Sequence, residues 1–385
     1  MNKTYDVIIS GCGPSGSLLG YYLARDNIKT LIIEKEYFPR KKTCAGGIQH
    51  RVLKYIPFEI TSLIENTIKG IYFSVRDRNV FRKKYPEAFM YTTRREILDS
   101  FLADRASDAG CDINFGEKVE GLSIGEDSAQ VNTNRSSYSS KITVAADGAR
   151  GYLSRHIISG KKINKIIGYE ADISYPSGSS TVLDANSRTF DLSDSVRLDF
   201  RGARKGYCWV FPKRTSISCG MGAPWQEASA VKSYLKKFLS GFCADYGNSD
   251  FNLDLSAHGI PVRNNDTPFC SHRLLAVGDA ACFGDGFTGE GLYNAAKSAL
   301  YASESIKNSL KNSDFSFNDY YSNISNDIAR DIKISLFLNS VFYGSFSFFY
   351  RFIEKNEGYF NAACRFLRGE KNYIDIAEKL KILKL

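Results

Sequence analysis

The chain has 385 residues, 43% hydrophobic and 24% charged, a balance that excludes a disordered chain and a small disulfide-held scaffold. That length fits two or three domains. The formal net charge of +9 suits an anionic partner such as a pyrophosphate, an acidic redox protein or an anionic membrane surface, and no zinc finger, RNP-type strand or basic heptad array points to nucleic acid.

The first predicted element is an apolar strand over residues 5–10. A glycine-rich turn follows, then a helix over 14–25 and a buried-strand run, Thr30-Leu31-Ile32-Ile33-Glu34. Strand, turn, helix and strand within about 30 residues make a βαβ unit. Ile97, Leu98, Phe101, Leu102 and Ala106 fall at helical spacing over 95–109, and Gly110 stops that helix. Residues 131–138 and 141–146 read as strands.

From about 165 to 255 the pattern changes to short alternating runs. Strands 196–200 and 207–211 flank a glycine-bearing loop, Arg201 to Gly206, as a hairpin would, and 216–221 reads as a third strand. This predicts an antiparallel sheet inserted into the first domain. A buried strand over 273–277 and a small-residue helix over 291–306 return to the first pattern. The last 70 or so residues read as helical and very aromatic.

Nine scattered cysteines, none spaced Cys-x-x-Cys, argue against a zinc site or a thioredoxin-like pair. The polar start lacks a signal core, so the expectation is a reducing, cytoplasmic location. The longest uncharged run, 334–350, falls short of the ~20 apolar residues of a membrane span. The four histidines, at 50, 156, 258 and 272, show no ligand spacing, so no metal is expected. A basic cluster of Arg76, Arg78, Arg82, Lys83 and Lys84 reads as a solvated face, with a phosphate or head-group site as the minority reading.

Gly11-Cys12-Gly13-Pro14-Ser15-Gly16 lies between the first strand and the first helix, with Glu34 closing the second strand. Gly11 allows the tight turn, Gly13 the approach of a pyrophosphate, and Gly16 the close packing of helix on strand. The helix N-terminus then offers free N–H groups to phosphate. An acidic Glu34 accepts from ribose hydroxyls and opposes a 2′-phosphate, so FAD or NAD fits and NADP does not.

Two further motifs, Ala145-Ala146-Asp147-Gly148 and Gly278-Asp279-Ala280-Ala281 followed by Gly289-Glu290-Gly291, are ordinary turns taken singly. Their order and spacing resemble the flavoprotein hydroxylase superfamily. That resemblance implies FAD, with Asp279 on the ribitol and Gly289, Gly291 and Leu292 offering N–H groups to the flavin. It also implies cofactor contacts from Ser15, Arg95 and Asp147, and from the backbone of Val119 at the adenine.

Phe38-Pro39-Arg40-Lys41-Lys42-Thr43-Cys44-Ala45-Gly46-Gly47-Ile48 and Tyr207-Cys208-Trp209-Val210-Phe211-Pro212 resemble segments of the geranylgeranyl reductase family. The likeness covers most of residues 1 to about 310, and 368–373 resembles the family's ending. The sequence departs at Arg155, displaced by one position, at Cys282, where the family carries glycine, and at Gly286, where it carries proline. The resemblance implies that Cys44, Ala45 and Gly47 run beside the flavin. In a strand, Tyr207, Trp209 and Phe211 share one face as an apolar wall, and a plain core strand is the alternative. Cys44 is either a small filler or a group that helps deliver the proton or shapes the alkene pocket, and a redox pair with Cys282 stays open.

The expected fold is α/β: a Rossmann-like FAD-binding domain (1–70, 88–160 and 258–310), an inserted antiparallel-sheet substrate domain (71–87 and 161–257), and a helical C-terminal segment (311–385). The expected activity is FAD-dependent reduction of carbon–carbon double bonds in an isoprenoid lipid or prenyl diphosphate, with Cys44, Tyr207 and Trp209 at the reaction site. NAD(P)H or a ferredoxin, the latter a redox-protein partner, would donate electrons. The alternative is a monooxygenase or halogenase of an apolar or aromatic substrate, and a third class is a flavin or lipid carrier. The segment 331–385, with nine Lys+Arg and six Asp+Glu around its aromatics, is expected to lie on a membrane surface or to lid the cavity.

Overall fold

A computed structural model describes residues 3–174, 180–242 and 255–379. Cys243 and the end of the C-terminal segment lie outside them. Strand Lys3–Ser10 is central to an eight-stranded sheet, parallel to Thr30–Glu34 on one side and Ser137–Ala145 on the other. Asp112–Phe115 and Leu274–Ala276 extend the parallel part. Val7, Ile8, Ile9, Leu31 and Ile32 are fully buried, because helices cover the sheet and leave no polar face on these strands. Helix α1 (Pro14–Arg25) packs against α2 (Arg95–Asp108) and α5 (Leu292–Asn312). A short α3 (Tyr152–Ile157) follows the sheet strand Ser137–Ala145.

The single strand expected over 131–138 is two, Ala129–Thr133 and Ser137–Ala145, paired antiparallel. The Thr133 hydroxyl makes the turn by accepting from the Arg135 and Ser136 N–H groups at 3.1 and 2.8 Å, a local bond that competes with strand continuation.

A second, seven-stranded sheet runs in the order Ser256–Val262, Asn164–Ser174, Ser216–Pro224, Tyr207–Pro212, Ser195–Phe200, Gly70–Val75, Arg78–Lys84. Strand Ser256–Val262 pairs with Asn164–Ser174 up to Val262↔Asn164, so this sheet extends to 262 rather than ending before 258. Helix α4 (Ala228–Phe242) covers one face, where Cys208, Val210, Cys219 and Met221 meet Leu235 and Leu239. The other face looks toward the first sheet.

Helices α6 (Asn318–Asn326), α7 (Ile328–Gly344), α8 (Phe346–Lys355), α9 (Glu357–Arg368) and α10 (Tyr373–Lys379) complete the structure. Phe346, Tyr350, Phe360 and Cys364 close a third core against Phe73 and Phe200. Tyr350 and Arg368 tie this segment down, donating to the Asn79 and Ala88 carbonyls at 2.6 Å. Among the described residues no single helix is long and apolar enough to cross a membrane; only the pair 318–344 and 346–355, bent by 90°, reaches that length and apolarity together.

Candidate functional site

A cavity of about 2230 Å³ lies between the two sheets and the C-terminal helices. That is well above the roughly 300–1,000 Å³ of a small-ligand pocket, so it has room for a dinucleotide and an apolar chain together.

At one end stands the glycine turn. Gly11 has a φ of +105°, and its N–H is bonded to the Ile33 carbonyl. A Cβ on Gly16 would stand 2.0 Å from the Gly11 carbonyl oxygen, whereas a Cβ on Gly13 meets nothing closer than Arg40 Nη2 at 3.8 Å. Gly11 and Gly16 therefore shape the turn from behind, and Gly13 and Ser15 line the cavity. No side chain caps α1, which leaves its first N–H groups for an anion. Glu34 is buried and accepts from the Cys12 and Glu36 N–H groups at 2.8 and 3.0 Å, keeping further lone pairs for ribose hydroxyls. These features fit the adenosine and pyrophosphate of FAD.

The loop that carries Cys44 crosses the middle of the cavity. Gly46 has a φ of +75°, and a Cβ there would stand 2.0 Å from the Thr93 carbonyl oxygen. Arg95 bonds Asp99 through two nitrogens, at 2.8 and 3.1 Å, and Arg40 reaches the same carboxylate at 3.1 Å. Burial opposes the Arg95 charge, but Asp99 and the Cys44 side chain beside it hold it protonated. The Cys44 N–H donates to Glu170 Oε1 at 2.5 Å. Lys42 lies 2.8 Å from His258 Nε2, and that nitrogen is 3.9 Å from Asp279.

Tyr207, Trp209 and Phe211 share the cavity face of their strand, and Cys208 and Val210 point into the core beneath. The Trp209 ring lies across Gly220, where a Cβ would approach it to 2.1 Å. The Tyr207 hydroxyl donates to the Thr288 carbonyl. Ala45, Gly47, Asp279, Gly289, Gly291 and Leu292 also line the cavity.

Other expected residues sit differently. Asp147 lines the cavity, but its carboxylate accepts from the Leu153 and Ser154 N–H groups at 2.8 and 3.2 Å and so caps α3. Val119 is packed in the first core and does not line the cavity. Cys282 is buried and does not line it either. Its left-handed φ of +61° is a conformation that favours glycine. Arg82, Lys83 and Lys84 are engaged by Asp194, Glu357 and Asp194 in turn, which favours the surface reading of that cluster. Glu170, Glu290, Lys42 and His258 line the cavity and were not singled out as site residues from the sequence. The strand of Glu170, which also carries Lys165 and Asp172, gives no local signal that sets it apart.

Acids raised by desolvation, the fully buried Asp199 among them, give the fold a pH dependence. Burial raises Asp147 to about 6, and Glu170, Glu290 and Asp331 to about 7. Each holds a proton in the folded state at a pH where the unfolded chain has released it. Stability is therefore full below the unfolded values and is lost as pH rises through 6 and 7. His50, lowered by burial, opposes this with one group, and Lys42, lowered to about 8 by burial, acts above the window. The thermal midpoint is expected to be higher at about pH 5.5 than at about pH 8; a midpoint that climbs across that range would refute the assignment.

The comparisons with known proteins agree with this geometry. A profile described as "FAD binding domain" matches residues 4–162. The chain is 30% identical over 327 residues to the digeranylgeranylglycerophospholipid reductase of Methanocaldococcus jannaschii, covering 82% of this chain and 80% of that one. It belongs to the geranylgeranyl reductase family. Within that family, the reductase of Thermoplasma acidophilum is 28% identical, over 82% of this chain and 81% of its own. As a member of the family the chain is an oxidoreductase with an FAD-binding domain. Two solved structures share the fold. One is a geranylgeranyl bacteriochlorophyll reductase-like protein from Thermoplasma acidophilum (TM-score 0.73, 24% identity, 88% of each chain). The other is a flavin-dependent brominase (TM-score 0.72, 18% identity, 95% of this chain and 94% of that one).

Proposed function

We propose that this protein is an FAD-dependent reductase that saturates carbon–carbon double bonds in an isoprenoid chain of the geranylgeranyl type. The observation that carries the reading is one continuous cavity. It holds a dinucleotide turn at one end, the Cys44–Gly47 loop in the middle, and an apolar wall of Tyr207, Trp209, Phe211, Phe73 and Phe342 at the other. The names of the relatives point to the same substrate class.

Glu34, Gly13, Ser15, Arg95, Asp279, Gly289, Gly291 and Leu292 would hold FAD, whose reduced form supplies a hydride to one alkene carbon. The chain's own residues do the rest. The aromatic wall orients the isoprenoid and keeps water out, which an unactivated alkene requires. Arg95, fixed by Asp99, holds the cationic side of the loop. NAD(P)H or a ferredoxin is the proposed electron donor, docking without a second glycine turn of its own.

The test begins with the cofactor, which on denaturation and chromatography is expected to be FAD. The flavoprotein is then reduced anaerobically with dithionite and mixed with a panel of prenyl compounds. Flavin reoxidation is expected, with products that have gained hydrogen by mass spectrometry. No reoxidation by any alkene, or product formation only with oxygen, would overturn the reading; the second result would favour a monooxygenase.

The exposed aromatics on α7–α9 support a peripheral membrane contact. Phe348 is 61% and Tyr359 50% exposed, Phe337 and Val341 are also exposed, and Lys333, Arg351 and Lys355 lie among them. Apolar and basic side chains together suit an anionic interface. Helices α7–α9 also line the cavity that would take the lipid chain. In flotation, the protein is expected to rise with anionic vesicles at low salt and less at high salt; absence of binding at low salt would reject the contact.

A further inference from the structure

Saturating a double bond adds a hydride to one carbon and a proton to the other. The proposed function assigns the hydride to bound reduced flavin and leaves the proton without a source. We propose that Glu170 supplies this proton. The inference rests on the reduction proposed above.

Glu170 lies in a row across the second sheet. Trp209 pairs with Gly220, and Gly220 pairs with Glu170. Directly paired residues share a face, so Trp209 and Glu170 both stand on the cavity side with only glycine between them. The Trp209 ring lies over that glycine and reaches Gly168 and Gly222 beside it. From above, the Cys44 N–H closes on Glu170 Oε1 at 2.5 Å. Glu170 as a residue is left 6% exposed, and its second oxygen, Oε2, is buried with no hydrogen-bond partner. A charged carboxylate with one N–H donor and one unpartnered oxygen is poorly compensated there.

The surroundings do not repair this. On its own strand, Asp172 adds a like charge. Lys213, from the turn after the aromatic strand, bonds Asp172 at 3.0 Å, and Lys42, from the loop, bonds His258. The flanking strands place the uncharged Gly220 and Ser256 opposite Glu170, and His258, two residues past Ser256 on the same face, is engaged with Lys42 and faces Asp279. Burial pushes the Glu170 carboxyl up to about 7, Asp172 pushes the same way, and the Cys44 N–H, Lys213 and Lys42 only partly oppose.

Other carboxyls that line the cavity fit the role less well. Glu34 and Asp147 each accept two backbone N–H groups. Asp279 is held below the usual range: burial raises it, but His258, Lys42 and Arg95 prevail. Glu290 is also raised and its Oε2 is likewise buried without a partner, but the Arg51 guanidinium is the chief group favouring its charged form, and its Oε1 caps α5 through the Tyr293 N–H.

The step balances. The Glu170 O–H bond breaks and its electron pair stays on the carboxylate. The alkene π pair forms the new C–H bond to that proton, and the neighbouring carbon takes the hydride. The two electrons come from NAD(P)H or a ferredoxin in turnover, and from dithionite in the test. Solvent then reprotonates the carboxylate.

The test is E170Q in the flavin-loaded protein, reduced with dithionite and mixed anaerobically with geranylgeranyl diphosphate and a digeranylgeranyl glycerolipid. Gln keeps an acceptor for the Cys44 N–H, so flavin content is expected to hold. The rate of alkene saturation is expected to fall about a hundredfold. The wild-type rate should decline as pH rises through 7, because the acid loses its proton, and E170Q should lack that limb. Independently of turnover, the infrared difference between wild type and E170Q should show one protonated carboxyl that titrates near pH 7, beyond those of Glu290 and Asp331. An active wild type with an unchanged limb or band in E170Q would overturn the proton source alone, as would loss of both in E290Q but not in E170Q. A wild type that reduces neither compound would overturn the reduction itself, and this proposal with it.

Discussion

Gly16→Ala is expected to weaken FAD binding by about ten- to a hundredfold. The added methyl would sit 2.0 Å from the Gly11 carbonyl oxygen and 3.2 Å from Ala146 Cβ, so α1 must back away from the strand it follows. Forcing one carbon into a packed site costs about 1–3 kcal/mol. The free protein can relieve part of this by shifting the helix. The bound form needs the helix N-terminus in place, so the strain returns on binding, at tenfold for each ~1.4 kcal/mol. Gly13→Ala is the informative contrast. Its backbone, φ −74° and ψ −178°, suits any residue, and its Cβ meets only Arg40 at 3.8 Å. Both variants should lose FAD affinity by fluorescence titration of the flavin-free protein. Only Gly16→Ala should also lower the thermal midpoint of that protein. A Gly16→Ala protein that binds FAD like its parent would remove the turn from the site.

The difference between these two glycines shows what the sequence carries openly. The turn, α1 and the strand ending at Glu34 are specified by neighbours in the chain, and the structure places them where local pattern predicts. The same holds for the alternation of Tyr207, Trp209 and Phe211 against Cys208 and Val210. What the sequence conceals depends on distant partners. Strand Ser256–Val262 looks like a return to the first domain, and only its pairing with Asn164–Ser174 assigns it to the second sheet. Glu170 reads as an ordinary surface residue of an alternating strand. Its place in the cavity depends on pairing with Gly220 on the next strand and on a loop more than a hundred residues earlier. The Arg82–Lys84 cluster reads as free charge because its carboxylates, Asp194 and Glu357, come from far along the chain.

Cys44→Ala is expected to keep FAD bound and to slow single-turnover reduction of a prenyl alkene by about tenfold or more, at or below the low end of what a lost acid–base group costs. The loop position does not depend on the thiol. The Cys44 backbone is held by Glu170, and Gly46 and Thr93 are joined by a backbone hydrogen bond of 2.8 Å. Alanine keeps both, so a loss of rate reports the sulfur itself. That side chain lines the cavity beside Arg95, where it can shape the alkene pocket or pass on a proton that Glu170 holds. Comparison with E170Q separates these roles. If Cys44 passes the proton, Cys44→Ala should be slow at every pH where Glu170 is protonated, and the double variant should be no slower than E170Q alone. If Cys44 only shapes the pocket, the two losses should multiply. Stopped-flow reoxidation of dithionite-reduced protein measures all three. A Cys44→Ala protein that reduces alkene at the parent rate with full flavin would leave the cysteine as a small packing residue and the chemistry to Glu170 and the cavity wall.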